Sequence, residues 1–174
     1  KKFNNDEIIK IKKKINFRLT NDQLIAIEQI NSDLKSNQKM FRLLQGDVGS
    51  GKTIVAFIAA MNVISSGFQV CLMAPTEVLA NQHYNLAKKL FDKNTNIKIL
   101  TSKTEYKVRK EILSDLDKNI INIIIGTHSL FQEKIKYHNL GLIIIDEQHK
   151  FGVKQRKKLS DKGGKNCDIL VMSA

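Results

Sequence analysis

The sequence predicts an α/β fold, a doubly wound parallel sheet with helices on both faces, on three observations. Short runs that are apolar throughout, such as Val70-Cys71-Leu72-Met73 and Leu142-Ile143-Ile144-Ile145, alternate with longer segments of helical period. Strands covered on both faces lose the in-and-out alternation of a half-exposed sheet, and the intervening helices supply the crossovers that parallel strands need. Polar residues with chemical potential stand just after the apolar runs, where open parallel sheets bind their ligands. Residues 46–53 read GDVGSGKT, a complete G-x-x-x-x-G-K-[ST] loop between an apolar run and a breaker-free helical segment.

The elements follow in order. Residues 1–16 are a basic, Lys-rich lead, either a helix or the end of a segment upstream. From Asn21 to about Ser36, Leu24, Ile25, Ile27, Ile30 and Leu34 recur at helical spacing, and Thr20 or Asn21 can cap the start. Leu43-Leu44 leads into the glycine loop, and Ile54 to Ala60 begins a helix that meets no breaker before Gly67. Then come a strand Gln69–Ala74, a helix from Glu77 to about Phe91, a short strand Ile97–Leu100 and a helix near Glu105–Leu116. Strands Ile120–Ile125, Leu142–Ile145 and Ile169–Met172 complete the set. With one proline, Pro75, and no repeat or low-complexity linker, the 174 residues predict a single unit.

Composition bounds the function. No run approaches the ~18 apolar residues of a membrane span and the start lacks a signal-peptide core, which points to a soluble, cytoplasmic protein. Cys71 and Cys167 are far apart with no CxxC, which fits idle thiols in a reducing compartment better than a disulfide or zinc site. The net charge of +12 is compatible with a polyanion partner. Charge alone does not identify one, because 25 lysines against four arginines, with abundant Ile and Asn, also follow from A/T-rich coding sequence. Aromatic residues are only 6% and Trp is absent, so stacking of bases on aromatic platforms is not the expected mode.

The glycine loop predicts a nucleoside triphosphate site. Gly46, Gly49 and Gly51 are expected to give positive φ, so that N–H groups along Asp47, Val48 and Ser50 face phosphate oxygens. Lys52 would reach the β- and γ-phosphates and Thr53 would offer its hydroxyl to Mg²⁺. Asp146-Glu147 follows the apolar run 142–145 and supplies the second half. Asp146 is the metal carboxylate, and Glu147 the base that orients and deprotonates the attacking water. His149 follows these acids. His83, on a helix, and His138, on a loop surface, are weaker candidates, while His128 belongs to the strand-end cluster Gly126-Thr127-His128. No pair of histidines has metal-ligand spacing, so Mg²⁺ with nucleotide is the one metal expected. A GTPase switch is disfavoured, because Asp146-Glu147-Gln148-His149 has no D-x-x-G form and no N-K-x-D pattern appears. A passive nucleic-acid-binding module would be excluded by nucleotide binding that Lys52→Ala abolishes.

Read in order, GDVGSGKT, APTEVLANQH, GTHSLFQ and DEQHKFGVKQR resemble the motifs of superfamily 2 helicases, and within them the first motor domain of the RecG-type branch-migration helicases. The resemblance covers about residues 17–174. Transcription-repair coupling factors carry a similar GDVG loop, but Gln148 and the FGVKQR run are of the RecG type. The resemblance implies a RecA-like motor domain that uses ATP and Mg²⁺ to move on branched or single-stranded DNA. In FRLTNDQ it implies that Phe17 lines the base pocket and Gln23 reads the adenine edge. It assigns His149, with the acidic pair, to the nucleotide site. Pro75, Thr76 and Gln82, then Thr101 and Ser102, then Gly126, Thr127 and His128 would hold the nucleic-acid backbone. Ser173-Ala174 would begin the coupling motif, and its strand, Ile169–Met172, would lie between the phosphate-loop strand and the acidic-pair strand. Where such relatives carry Thr-Gly-Ser after the third strand, this chain has Thr101-Ser102-Lys103, which removes the residue that allows closest backbone approach. The second motor domain with its arginine finger, and the wedge domain that splits a fork, would be parts of the same polypeptide outside these residues.

Overall fold

Among the described residues, six parallel strands form one sheet in the order β1-β6-β5-β2-β4-β3. The computed structural model describes residues 1, 13–15, 18–132, 135–147, 164 and 167–174. In chain order the elements are α1 (Asn21–Lys35), β1 (Phe41–Gln45), α2 (Lys52–Ser65), β2 (Gln69–Met73), α3 (Glu77–Leu90) and β3 (Ile97–Leu100). They continue with α4 (Tyr106–Asp117), β4 (Ile123–Gly126), a 3₁₀ turn (His128–Phe131), β5 (Leu140–Asp146) and β6 (Asp168–Ser173). Because side chains alternate across a strand, each buried strand feeds two cores. Val70, Leu72, Ile123, Ile125, Leu142, Ile144 and Leu170 pack with α1, α2 and α3, whereas Cys71, Met73, Ile124, Ile143, Ile145 and Val171 pack with α4 on the opposite face. Both faces are covered, as the uninterrupted apolar runs require.

Helix α2 is the hub of the first core. Every residue from Ile54 to Val63 is buried, and Phe57 meets Phe91 edge to face with centroids 5.5 Å apart. Helix α1 packs beside it and opens with a capping box in which Thr20 Oγ1 accepts from the Gln23 N–H while Gln23 Oε1 accepts from the Thr20 N–H. Polar groups inside the sheet are spent on joining elements. The buried Gln69 donates through Nε2 to the Leu116 and Ile121 carbonyls, both at 3.0 Å, and accepts from the Asn139 N–H at 3.1 Å. Cys71 and Cys167 are both buried, and burial pushes the Cys167 thiol up to about 12.

Three differences from the sequence reading have local causes. The fourth strand begins at Ile123 rather than Ile120, because α4 ends in a left-handed turn. Asn119 takes φ 59° and the Ile120 N–H returns to the Asp115 carbonyl, so Ile120 is part of the cap and half exposed. The fifth strand begins earlier, at Leu140, because Gly141 lies against Phe68 where a Cβ would come within 2.5 Å of the ring side chain. That glycine is a close approach and not a break. Strand β1 is not apolar throughout in its setting. It is the edge of the described sheet, with Phe41 64% and Leu43 50% exposed.

Candidate functional site: a nucleotide edge beside a backbone-binding edge

The carboxyl ends of the strands line up the candidate residues in two groups. Gln45 is registered with Ser173, and the Gly46 N–H donates to the Ser173 carbonyl at 3.2 Å. On the other side of β6, Met172 is registered with Asp146. The phosphate loop, the Ser173-Ala174 end and the acidic pair therefore follow one another across three adjacent strands, about 10 Å from the first to the third. Beyond β5 the edge continues with Ala74-Pro75-Thr76 after β2, Gly126-Thr127-His128 after β4 and Thr101-Ser102 after β3. The strand that leads to Ser173-Ala174 lies between the strand before the glycine loop and the strand before the acidic pair, as the resemblance implied.

In the phosphate loop Gly49 and Gly51 hold φ of 82° and 80°, conformations that L residues rarely adopt. Gly46 does not, and a Cβ there would stand 3.0 Å from the rotatable hydroxyl of the exposed Ser50. The expectation of positive φ at all three glycines is corrected to two. Gly51 caps α2 without a side chain, so the first turn of the helix points its N–H groups toward the loop. The Lys52 ammonium donates to the carbonyls of Gly46 and Asp47, which holds it over the loop. Thr53 is half-buried in the first turn of α2, whereas Asp47, Val48 and Ser50 are exposed. Gln23 reaches the same loop. Its Nε2 donates to the Ser50 carbonyl at 2.8 Å while its Oε1 serves the α1 cap. A carboxamide has two donors and two lone pairs, so one of each is still available for a base edge. An open cleft of about 440 Å³ lies between the start of α1 and the loop, lined by Thr20, Gln23, Ala26, Gly46, Ser50 and Lys52 among others. Phe17 and His149 lie outside the described residues.

Asp146 is the last residue of β5 and is 9% exposed. Glu147 has left the strand and takes φ 54°, a left-handed backbone that costs a residue with a Cβ roughly 1–2 kcal/mol. The turn separates the two acids: the first stays in the sheet and the second is rotated out of it. Such strain is typical of functional loops. Mg²⁺ would be held by hard oxygen donors, and Asp146 with the Thr53 hydroxyl fits that chemistry. Among the described residues no group of three His, Cys, Asp or Glu is assembled. A nucleotide-bound Mg²⁺ needs none, since phosphate oxygens and water fill most of its octahedron.

The structure adds one residue that the sequence reading set aside. His83 was read as a weak candidate on a helix. It is buried at 7% exposure, and its Nε2 lies 2.6 Å from Asp146 Oδ2. The signal was present, because Ala80, His83, Ala87 and Leu90 share the inward stripe of α3. Glu77, one of the polar residues after the second apolar run, had no role assigned to it from the sequence. Its carboxylate accepts from the Ser102 hydroxyl at 2.6 Å and pairs with Lys103 at 3.2 Å, tying the start of α3 to the loop after β3. Those two partners, Ser102 first, hold its carboxyl below the ordinary glutamate range.

The loops of the second group differ in exposure. Thr76 is exposed and caps α3 by accepting from the Leu79 N–H at 3.2 Å, and Pro75 beside it is half-buried. Ser102, Gln82 and His128 are exposed, whereas Thr101 and Thr127 are buried at 7% and 8%. The Thr101 hydroxyl accepts from the Lys103 N–H, so it braces its loop. Gly126 is needed for contact between strands, since a Cβ would fall 2.2 Å from the Leu100 carbonyl oxygen.

Comparison with known proteins places this arrangement. The DEAD/DEAH box helicase family model matches residues 20–174. The chain is 47% identical over 174 residues to the ATP-dependent DNA helicase RecG of Bacillus subtilis, covering 99% of this chain and 25% of that protein. It is 48% identical over 163 residues to RecG of Thermotoga maritima, covering 93% of this chain and 21% of that protein. A solved structure of RecG bound to a three-way DNA junction superposes over 100% of this chain and 23% of that one, with a TM-score of 0.88 at 41% identity. The DEAD-box helicase Mss116 bound to single-stranded RNA and UDP-BeF matches over 96% of this chain and 38% of that one with a TM-score of 0.75 at 22% identity, a likeness of fold. The chain thus spans about a quarter of the length of the RecG relatives it matches. Because the family model matches residues 20–174, nearly the whole of the 174-residue sequence, the chain belongs to the DEAD/DEAH box helicase family.

Proposed function

We propose that this chain is the first motor domain of a RecG-like, ATP-dependent DNA helicase that remodels branched DNA such as stalled forks and recombination junctions. The observation that carries the reading is the order of the sheet edge: phosphate loop, Ser173-Ala174, Asp146-Glu147, then the three backbone-binding loops. In this reading the loop N–H groups and Lys52 bind the triphosphate, and Gln23 and Phe17 recognise adenine. Thr53 and Asp146 would hold Mg²⁺, which when bound neutralises charge on the β- and γ-phosphates. Glu147 takes the proton of the attacking water, and His149 is assigned to the same nucleotide site. Thr76, Ser102, Gln82 and His128, with main chain at Pro75 and Gly126, meet phosphates; Thr101 and Thr127 support their loops from within. Ser173 and Ala174, between the loop and Asp146, couple nucleotide state to the DNA side.

The partners are branched or single-stranded DNA together with a second motor domain and a wedge domain of the same polypeptide, and the compartment is the cytoplasm. Among the described residues no helix is long and apolar enough to cross a membrane. Taken alone the domain should hydrolyse ATP poorly, because the arginine that stabilises the transition state in such enzymes contributes ~10³–10⁵ in rate. The reading is tested by titrating the chain with ADP and GDP in Mg²⁺, and with branched and single-stranded DNA at several salt concentrations. Adenine should be preferred, with the preference lost in Gln23→Ala. DNA affinity should fall steeply with salt and depend little on sequence. Equal affinity for both nucleotides, or DNA binding that salt leaves unchanged, would overturn it.

A further inference from the structure

Helix α3 joins the two halves of the edge. It starts at Thr76, among the loops assigned to the DNA backbone, and Glu77 in its first turn grips Ser102 and Lys103 of the neighbouring loop. Two turns further on, about 10 Å along the axis, its inward stripe carries His83 to Asp146 Oδ2. A carboxylate at 2.6 Å has no hydrogen to give, so the imidazole Nε2–H is the donor. The side chains of His83 and Asp146 are only 8% and 12% exposed, so water competes weakly for this bond. One oxygen of Asp146 is thereby committed and the carboxylate plane is fixed, leaving the remaining lone pairs for the metal's water shell. Metal-binding carboxylates are commonly held in this way by an outer partner.

We propose that His83 is a positioning residue for Asp146: it sets the carboxylate that holds Mg²⁺ and makes that setting depend on where the DNA-side loops place α3. The inference rests on the reading of Asp146 as the metal residue given above. It requires a rigid lever, and α3 is one. Its first turn is capped by Thr76, its inner stripe is buried at Ala80, Ala87 and Leu90, and its last turn carries Lys88 and Lys89 at the negative end of the helix dipole.

The test uses the full-length protein that contains this domain. Binding of a fluorescent ADP analogue is titrated against Mg²⁺, with and without a DNA junction, for the wild type, His83→Leu, His83→Gln and Asp146→Asn, with thermal unfolding as the fold control. His83→Leu fills the space but removes the donor, and should raise the Mg²⁺ concentration at half-saturation by ~10–100-fold. His83→Gln keeps an N–H donor at similar reach and should recover most of the loss. DNA should lower the Mg²⁺ requirement of the wild type and leave that of His83→Leu unchanged. If Asp146→Asn itself leaves the Mg²⁺ dependence unaltered, the metal reading of Asp146 fails. If Asp146→Asn shifts it and His83→Leu does not, the positioning proposal alone fails. Should His83→Leu not fold, His83→Ala is read by the same criteria.

Discussion

Replacing Gly51 by alanine probes how helix α1 and the glycine loop are built on one another. Gly51 sits at φ 80°, and a Cβ built there falls 2.4 Å from Gln23 Nε2. The backbone conformation costs an L residue about 1–2 kcal/mol. The obstructing atom is the end of a flexible side chain, so Gln23 should swing away and not force the backbone apart. It then gives up its 2.8 Å bond to the Ser50 carbonyl, worth about 1 kcal/mol. The total for Gly51→Ala is about 2–3 kcal/mol. Gln23→Ala loses the same Ser50 bond and also the return half of the capping box to the Thr20 N–H, together about 1–2 kcal/mol. The Ser50 bond is shared, so the double variant should be less destabilised than the sum of the singles by about 1 kcal/mol. Urea unfolding of the four proteins measures this directly. Additivity within about 0.3 kcal/mol, or a neutral Gly51→Ala, would refute the claim that Gln23 and the loop glycine are packed as a pair.

In the full-length protein, Glu147→Gln should keep nucleotide and Mg²⁺ bound while DNA-stimulated ATP turnover falls by ~10²–10⁴, because it keeps the size of the side chain and removes the base. Asp146→Asn should instead raise the Mg²⁺ requirement, and added metal should restore part of its turnover; normal hydrolysis by Glu147→Gln would reduce the acidic pair to a solvated strand end. Glu77 has a lowered folded-state pKa, so the tie to Ser102 and Lys103 is present above the ordinary glutamate range and is lost as pH falls through the lowered value. Carboxyl NMR titration checks this, and Ser102→Ala, which removes the leading cause, should move Glu77 back toward the usual range. Gln69→Leu leaves the buried Ile121 carbonyl and the Asn139 N–H without this partner, while the Leu116 carbonyl keeps the Asn119 N–H, and should lower unfolding stability by about 1–3 kcal/mol; a loss within about 0.5 kcal/mol would mean water replaces the carboxamide.

The sequence by itself determined the fold class, and it carries the proposal that the glycine loop binds phosphate. Apolar runs such as 70–73 and 142–145 cannot be half-exposed strands, and GDVGSGKT has few uses other than wrapping phosphate, so both follow from local composition and spacing. The inward stripe of α3 was legible too, although a histidine on it gave no hint of its partner. What only the tertiary structure decided was which residues meet. Asp146 and His83 are 63 positions apart in the chain, and their contact depends on β5 lying beside β2, the strand whose carboxyl end leads into α3. The burial of Thr101 and Thr127 likewise depends on how deep each loop sits at the sheet edge, which spacing does not encode. Gly141 makes the same point from the backbone. A sequence shows that a residue lacks a side chain, but only the packed neighbour, Phe68, shows that the reason is space and not a turn.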